Sequence, residues 1–326
     1  MIPYAIVGTS WISEEFFLAS LRSGLGLAGV CSRSREKGLA FAEKIGRADV
    51  PVYPSVEELA AAPGIRAVYV ASPNSLHAPQ CETLLRAGKH VLCEKPITTC
   101  PGDLEELQAL ARAKGLAYVE AIMYLHTPAR QSVKAILPEL GGITSAHFDF
   151  SQLSSRYDEL AAGGAPSVFS AAMGGGALND LGIYCAYPAL DLFGPPLDIQ
   201  AQAHILPSAG ADGAGAALLR YPGFTLTLTW SKLGQSRGVS QVMGTRGTLS
   251  VRSVSQFQGV TFHPREGGPR ELAAPLRKHE VMRYEARAFR EYILGRPAAV
   301  PYGEASGLAL AVARAMEAIR KSCKDG

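Results

Sequence analysis

Short, wholly apolar runs alternating with amphipathic stretches fill the first third of the chain. The first run, residues 3–7, stops at Gly8-Thr9-Ser10, and residues 14–21 recover helical spacing through Phe17, Leu18 and Leu21. That order predicts a strand, a tight turn and a helix. Further apolar runs at 27–31, 52–53, 67–71, 90–93 and 117–123 predict strands. Between them, helical spacing occupies 34–45, 56–61, a stretch from about 75 that ends at a Gly88 cap, and 102–114. Strands that are apolar throughout, separated by helices of this length, predict a doubly wound parallel sheet covered on both faces. Such sheets bind ligands just outside the carboxyl ends of their strands, so function is to be sought in the residues past each run.

The second half of the chain changes period. After a helix over 129–137, Gly141-Gly142 leads into a strand at 143–150. Polar and apolar residues then alternate at 216–221, 225–231, 239–243, 248–251 and 260–263, between Gly and Pro turns, which predicts antiparallel strands. Residues 209–215 read as a small-residue hairpin or loop. Helices are expected from just after Gly176 to about Phe193, over 282–294 and over 306–322. The chain therefore reads as α/β: a parallel doubly wound sheet, then an α+β region.

Composition narrows the class. At 326 residues the chain can bury two separate cores, and 47% hydrophobic against 19% charged residues is the balance of a folded globular protein. A net charge of +3, from scattered rather than blocked Lys and Arg, argues against nucleic acid or a membrane surface as partner. No run approaches the roughly 18 apolar residues of a membrane span, and the chain enters its first strand without an export signal. A cytoplasmic protein is expected. The six cysteines lie far apart, with no C-x-x-C pair and no His at ligand spacing. They read as buried small hydrophobes in a reducing compartment, and no metal is expected.

Chemistry concentrates at strand ends. The turn Gly8-Thr9-Ser10-Trp11-Ile12 opens a helix, where free backbone N–H groups and the helix dipole favour a pyrophosphate. Its small positions are Gly8, Ser10 and Ser13 instead of three glycines, so the same stretch also fits an ordinary buried first strand. Past the second strand, Ser32-Arg33-Ser34-Arg35-Glu36-Lys37 carries no acid where an NAD-specific domain holds the ribose 2′-hydroxyl. Serine hydroxyls with Arg33, and to a lesser degree Arg35 and Lys37, suit a 2′-phosphate and favour NADP over NAD. A serine N-cap followed by solvated charges is the alternative reading of these residues. Ser72, Asn74 and His77, past the fourth strand, are candidates for the nicotinamide ribose, or for a helix cap and its first turn. Past the fifth strand, Glu94-Lys95-Pro96 offers a lysine that can donate to a substrate oxygen, or a surface ion pair.

Taken together, Gly8-Thr9-Ser10-Trp11-Ile12, Ser32-Arg33, Ser72-Pro73-Asn74 with His77, Glu94-Lys95-Pro96, and the later Gly174-Gly175-Gly176…Asp180…Tyr184 resemble the NAD(P)-dependent glucose-fructose oxidoreductase and inositol dehydrogenase family, Gfo/Idh/MocA. The resemblance implies a Rossmann domain over 1–123. It also implies a substrate-binding α+β domain over 124–326 with an open, mainly antiparallel sheet, whose outer face often makes a dimer or tetramer interface. It implies cofactor contacts from Gly8, Thr9, Ser10, Trp11, Ile12, Ser32, Arg33, Lys37, Ser72, Asn74, His77, Glu94 and Lys95. Tyr184, where many members carry His, is similar to the branch containing dimeric dihydrodiol dehydrogenases.

From this follows an expected chemistry: hydride transfer to or from a sugar, polyol or vicinal diol, with NADP the expected cofactor and NAD possible. Tyr184 serves as general acid/base, Lys95 lowers the phenol pKa from its usual value of about 10, and Asp180 orients Lys95 or a sugar hydroxyl. Asp180, Tyr184 and Tyr187 are expected on one helix face. Relatives often carry an arginine where this chain has Leu125, leaving Tyr124 or His126 as pocket candidates. Trp11 is expected to pack on the cofactor or to cap the pocket. An NAD-assisted hydrolase or epimerase and a non-catalytic dinucleotide sensor are the competing functions.

Overall fold

The chain opens with β1 (Ile2–Val7), α1 (Trp11–Ser20), β2 (Leu25–Cys31), α2 (Arg35–Lys44), β3 (Val52–Tyr53), α3 (Val56–Ala61) and β4 (Ala67–Val70). A 3₁₀ turn, Asn74–Leu76, precedes α4 (His77–Arg86), followed by β5 (His90–Glu94), α5 (Pro101–Ala113) and β6 (Tyr118–Ala121). The strands form one sheet in the order β3-β2-β1-β4-β5-β6, every pair parallel. β4 and β6 are buried at every position, as a strand with helices on both faces must be. The order reverses between β1 and β4, so the ends of β1, β2, β4 and β5 surround the switch point. This computed structural model describes residues 1–164 and 166–325.

Then come α6 (Met123–His126), α7 (Pro128–Ile136), β7 (Ile143–Ser151) and α8 (Tyr157–Ala161). A wide π-type turn, Leu178–Gly182, runs directly into α9 (Ile183–Phe193). The strands β8 (Asp198–Leu206), β9 (Ala211–Tyr221), β10 (Phe224–Ser231), β11 (Ser240–Gly244), β12 (Gly247–Ser253), β13 (Gln258–Pro264) and β14 (Arg270–Ala273) complete a second sheet. Its order is β14-β13-β12-β11-β7-β10-β9-β8, antiparallel except for the β7–β10 pair. Leu226, Leu228 and Trp230 of β10 face the helices and are buried, while Thr225, Thr227 and Thr229 alternate to the open face. Two helices, α10 (Lys278–Ile293) and α11 (Tyr302–Asp325), end the chain.

Two differences from the sequence expectation have a physical reason. β8 and β14 were not foreseen as strands, and they are the two edges of the second sheet. Edge strands bury little, so β8 alternates only weakly between covered and exposed positions. The chain also divides less simply than at residue 123. One compact unit comprises Met1–Ile122 together with Arg277–Gly307; the other comprises Met123–Leu276 and the residues from Leu308 onward. α10 belongs to the first because its buried stripe, Val281, Met282, Ala286 and Phe289, packs beside α1. Periodicity shows that a helix has an apolar stripe, not which core receives it.

In the second unit a buried charge cluster anchors α7 to α9. Asp191 accepts from Arg130 Nε and Nη2 at 2.8 and 2.6 Å, from Lys134 at 2.8 Å and from Tyr124 Oη at 2.6 Å. The Arg130 and Asp191 side chains are only 5% and 4% exposed. Burial by itself would raise the Asp191 carboxyl, but these donors outweigh it and hold it below the usual carboxylate range. Removing the carboxylate strands a buried guanidinium. Asp191→Ala should therefore cost the second unit about 3–5 kcal/mol, read as a loss in chemical denaturation; a loss below ~1 kcal/mol would refute the anchor role.

Candidate active site

The turn between β1 and α1 is built for close backbone approach. Gly8 has φ +100°, and a Cβ there would stand 2.5 Å from the Ala71 carbonyl oxygen at the end of β4. Ser10 occupies the N-cap position of α1 without using its hydroxyl as a cap. Its carbonyl takes the Ser13 and Glu14 amides at 3.0 and 3.4 Å. Among the described residues, no protein acceptor takes the Trp11 and Ile12 amides. Those donors and the helix dipole make an anion cradle. Ser13 is fully buried, filling the third small position.

The loop after β5 is pinned at several points. Tyr69 donates to Glu94 Oε1, and the Lys95 amide donates to Glu94 Oε2 at 3.3 Å. The His77 ring lies between two main-chain carbonyls, with Nδ1 2.8 Å from Pro96 O and Nε2 2.9 Å from Ser72 O. Glu120, buried in β6, accepts the Ile97 amide at 2.8 Å. Lys95 thus stands half-exposed on a rigid platform, beside a carboxyl that burial raises against the Tyr69 hydrogen bond and the Lys95 charge. His77, open in the sequence between a ligand contact and packing in the first helical turn, is fully buried and lies between the β4 and β5 ends. The Ser72 hydroxyl donates to Gln80 Oε1 at 2.7 Å, and Asn74 begins the 3₁₀ turn.

At the end of β2, Ser34 is the N-cap of α2 and accepts the Lys37 amide at 3.2 Å. Arg33 and Lys37 are exposed and Ser32 half-buried. Among the described residues Arg33 makes no hydrogen bond or ion pair. Its guanidinium remains available to an anion.

In the second unit the glycine triplet is dictated by packing. A Cβ on Gly175 would meet the carbonyl oxygens of Ser167, Val168 and Ser170 at 2.7–2.9 Å, and one on Gly176 would stand 2.4 Å from Asp212 Oδ1. Asp212 in turn accepts the Leu178 amide at 2.8 Å and the Trp230 indole N–H at 2.7 Å, fixing where the helix begins. Burial raises its carboxyl despite both donors. One turn later Asp180 pairs with Lys232 at 2.5 Å, and the Tyr184 ring meets Phe150 edge-on at 5.5 Å. Phe150 and Trp230 are register partners in the parallel β7–β10 pair, and Lys232 follows the end of β10. Asp180 and Tyr184 therefore sit over the carboxyl ends of two parallel strands, as Lys95 does in the other sheet.

Three expectations change here. Tyr187, foreseen on the face of Asp180 and Tyr184, is fully buried, while Tyr184 is only partly covered. Tyr124 is spent on the Asp191 cluster rather than on a pocket. His126 is buried, and burial together with the Arg130 charge pushes its pKa down to about 3. Sequence reasoning missed Lys232, 3% exposed, although a lysine directly past a strand was the same signal that singled out Lys95.

Comparison with known proteins assigns the family. Residues 2–121 match the model of an oxidoreductase family with an NAD-binding Rossmann fold, and residues 132–250 match the Gfo/Idh/MocA C-terminal domain. The chain is 36% identical over 290 residues to the scyllo-inositol 2-dehydrogenase (NADP(+)) IolU of Bacillus subtilis, covering 89% of this chain and 87% of that one. The chain belongs to the Gfo/Idh/MocA family. A trans-1,2-dihydrobenzene-1,2-diol dehydrogenase of Macaca fascicularis is 31% identical over 77% of this chain and 74% of its own. Among solved structures, the 3-ketoreductase KijD10 of Actinomadura kijaniata, in complex with NADP and TDP-benzene, superposes with a TM-score of 0.85 at 26% identity, covering 98% and 97% of the two chains.

As a family member the chain is an NAD(P)-dependent oxidoreductase. The Gly8 turn fits the dinucleotide: only glycine tolerates the approach to Ala71, and the Trp11 and Ile12 amides are unclaimed. Among the described residues no three His, Cys, Asp or Glu side chains converge as metal ligands, and no helix is long and apolar enough to cross a membrane.

Buried His126 has a pH consequence. Its ordinary pKa is about 6.5 when unfolded, and about 3 when folded, so the unfolded chain binds the extra proton first on acidification. Stability is full above about pH 6.5 and falls, on the order of a few kcal/mol, as pH drops toward 3. Thermal unfolding from pH 7.5 to 4 should show that slope in the wild type and a shallower one in His126→Gln; parallel slopes would refute the assignment.

Proposed function

We propose that the protein is an NADP-preferring dehydrogenase or reductase that oxidises or forms a secondary alcohol on a sugar, polyol or vicinal diol. The observation that carries this reading is the Lys95 ammonium on its pinned loop at the mouth of a dinucleotide-binding sheet. Scyllo-inositol and the dihydrobenzene diol in the names of its relatives share the neighbouring-hydroxyl chemistry.

The nicotinamide, when bound, takes or gives the hydride. In this reading the chain's own residues manage the proton and the charge. The Tyr184 phenol takes the substrate hydroxyl proton in oxidation and returns it in reduction. Lys95 donates to a substrate oxygen and places positive charge where an alkoxide develops. Asp180 was expected to orient Lys95 or a sugar hydroxyl. Its bond to the buried Lys232 supports a different first task, holding the helix so that Tyr184 keeps its aim. At the far end of the cofactor, Ser32 and Arg33 would hold a 2′-phosphate, and the absence of an acid at 32–37 other than Glu36 removes the usual repulsion.

We also propose that the open face of the second sheet, carrying Thr225, Thr227, His147, Gln241 and the half-exposed Leu218, pairs with a second copy of the chain. All six cysteines are free thiols, which suits a cytoplasmic setting.

Three outcomes test the proposal. Lys95→Met and Tyr184→Phe should each lower turnover by about a hundred-fold or more, with NADP⁺ affinity nearly unchanged, when scyllo-inositol, sugars and diols are assayed by nicotinamide absorbance. Wild-type turnover in either variant would overturn the roles. Arg33→Glu should move the NADP/NAD preference toward NAD by about ten-fold; an unmoved ratio would remove Arg33 from the 2′-phosphate site. Light scattering should give a multiple of the chain mass, which a Leu218→Glu change on the open face lowers; a monomeric wild type would exclude the pairing.

A further inference from the structure

α10, read from sequence as part of the second domain, returns to the first unit and sets its first residue against the dinucleotide turn. The Lys278 ammonium lies 4.5 Å from the centroid of the Trp11 ring, over its face. Trp11 is the first residue of α1, and at 61% exposed it is an unusually open site for an indole. His279, next along α10, meets Glu15 of α1 at 3.3 Å, so the two helices are clamped at the same level. Helix packing, not a free side chain, decides where this ammonium stands.

Lys278 is half-buried. Among the described residues it makes no hydrogen bond and no ion pair. Burial lowers its pKa first; the Glu94 charge opposes that, the Lys95 charge adds to it, and Glu15 and Glu285 act more weakly in its favour. The ammonium therefore stands within the field of the β5 end as well as over the α1 turn. A partly desolvated cation with no carboxylate in direct contact gains when an anion arrives. Beside it are the Trp11 and Ile12 amides, donors without protein acceptors. One ligand group satisfies both: an oxyanion bridging the start of α1 and the approach to β5.

We propose that Lys278, steered by the Trp11 indole, is a pyrophosphate-binding residue of the dinucleotide site. The cation–π contact holds the ammonium in place before the cofactor arrives, and two phosphate oxygens then replace water around it. Lys278 works at the pyrophosphate, while Arg33 serves the 2′-phosphate and Lys95 the substrate oxygen. The proposal rests on the reading of the Gly8 turn as the pyrophosphate cradle.

Calorimetric titration separates the two. Wild type, Lys278→Met and Lys278→Arg are each titrated with NADP⁺, with 2′-phospho-ADP-ribose, which keeps the pyrophosphate, and with adenosine 2′-monophosphate, which lacks it. Lys278→Met should weaken the first two by about ten-fold or more and leave the third within about two-fold, while Lys278→Arg recovers most of the loss. Trp11→Ala should weaken the same two ligands by a smaller factor. Unfolding midpoints near the wild-type value exclude general damage. Unchanged NADP⁺ affinity in Lys278→Met, or equal weakening of all three ligands, would overturn the role of Lys278 and leave the cradle standing. A wild type that binds adenosine 2′-monophosphate as tightly as NADP⁺ would overturn the cradle, and the proposal with it.

Discussion

The imidazole of His77, wedged between the carbonyls of Ser72 and Pro96, is the contact on which the first unit's chemistry depends. Parallel pairing brings the ends of β4 and β5 side by side but leaves the segments beyond them without ladder partners. One buried ring joins those segments, and Glu94 and Glu120 complete the framework from either side. A flexible lysine becomes useful only when its backbone cannot wander, because holding a donor in place beforehand avoids reorganisation during reaction. The polar groups buried here are arranged to hold Lys95, which explains why a sheet of otherwise apolar strands tolerates two carboxylates and a histidine in its covered layer.

The second unit solves the same problem with other parts. Asp212 binds the first amide of the helix and the Trp230 indole, and the glycine triplet lets that helix start against carbonyls no side chain would clear. Asp180 then ties the next turn to Lys232 at the end of β10. Only the β7–β10 pair in this sheet is parallel, and that is where Asp180 and Tyr184 lie. In both sheets, strand ends that terminate together offer a place where side chains and backbone dipoles converge. The antiparallel remainder supplies area: one face for the helices and one open, mostly polar face.

Three cations stand at the strand-end side of the first unit, each supported differently. Arg33 is exposed at the end of β2, Lys278 is held over an aromatic ring at the start of α1, and Lys95 sits on the platform after β5. Each cation draws on a different support: solvent, a π face, or a hydrogen-bonded loop.

Much of this was legible in the sequence. Apolar runs separated by amphipathic helices determine a parallel, doubly wound sheet, because no other arrangement covers both faces of such strands, and the residues after each run mark the strand ends where Gly8, Arg33 and Lys95 are found. The glycine triplet with Asp180 and Tyr184 was likewise readable as a motif. What tertiary structure alone decided were the partnerships. His77 and Asp180 kept their positions but gained roles set by Pro96 and Lys232, residues 19 and 52 positions away. Lys278 acquired its place only because α10 leaves the second unit's sequence neighbourhood and packs beside α1. Periodicity records which face of an element is apolar; it carries no address for the surface that covers it. Edge strands such as β8 and β14 escape notice for a related reason, since a strand that buries little leaves little pattern to read.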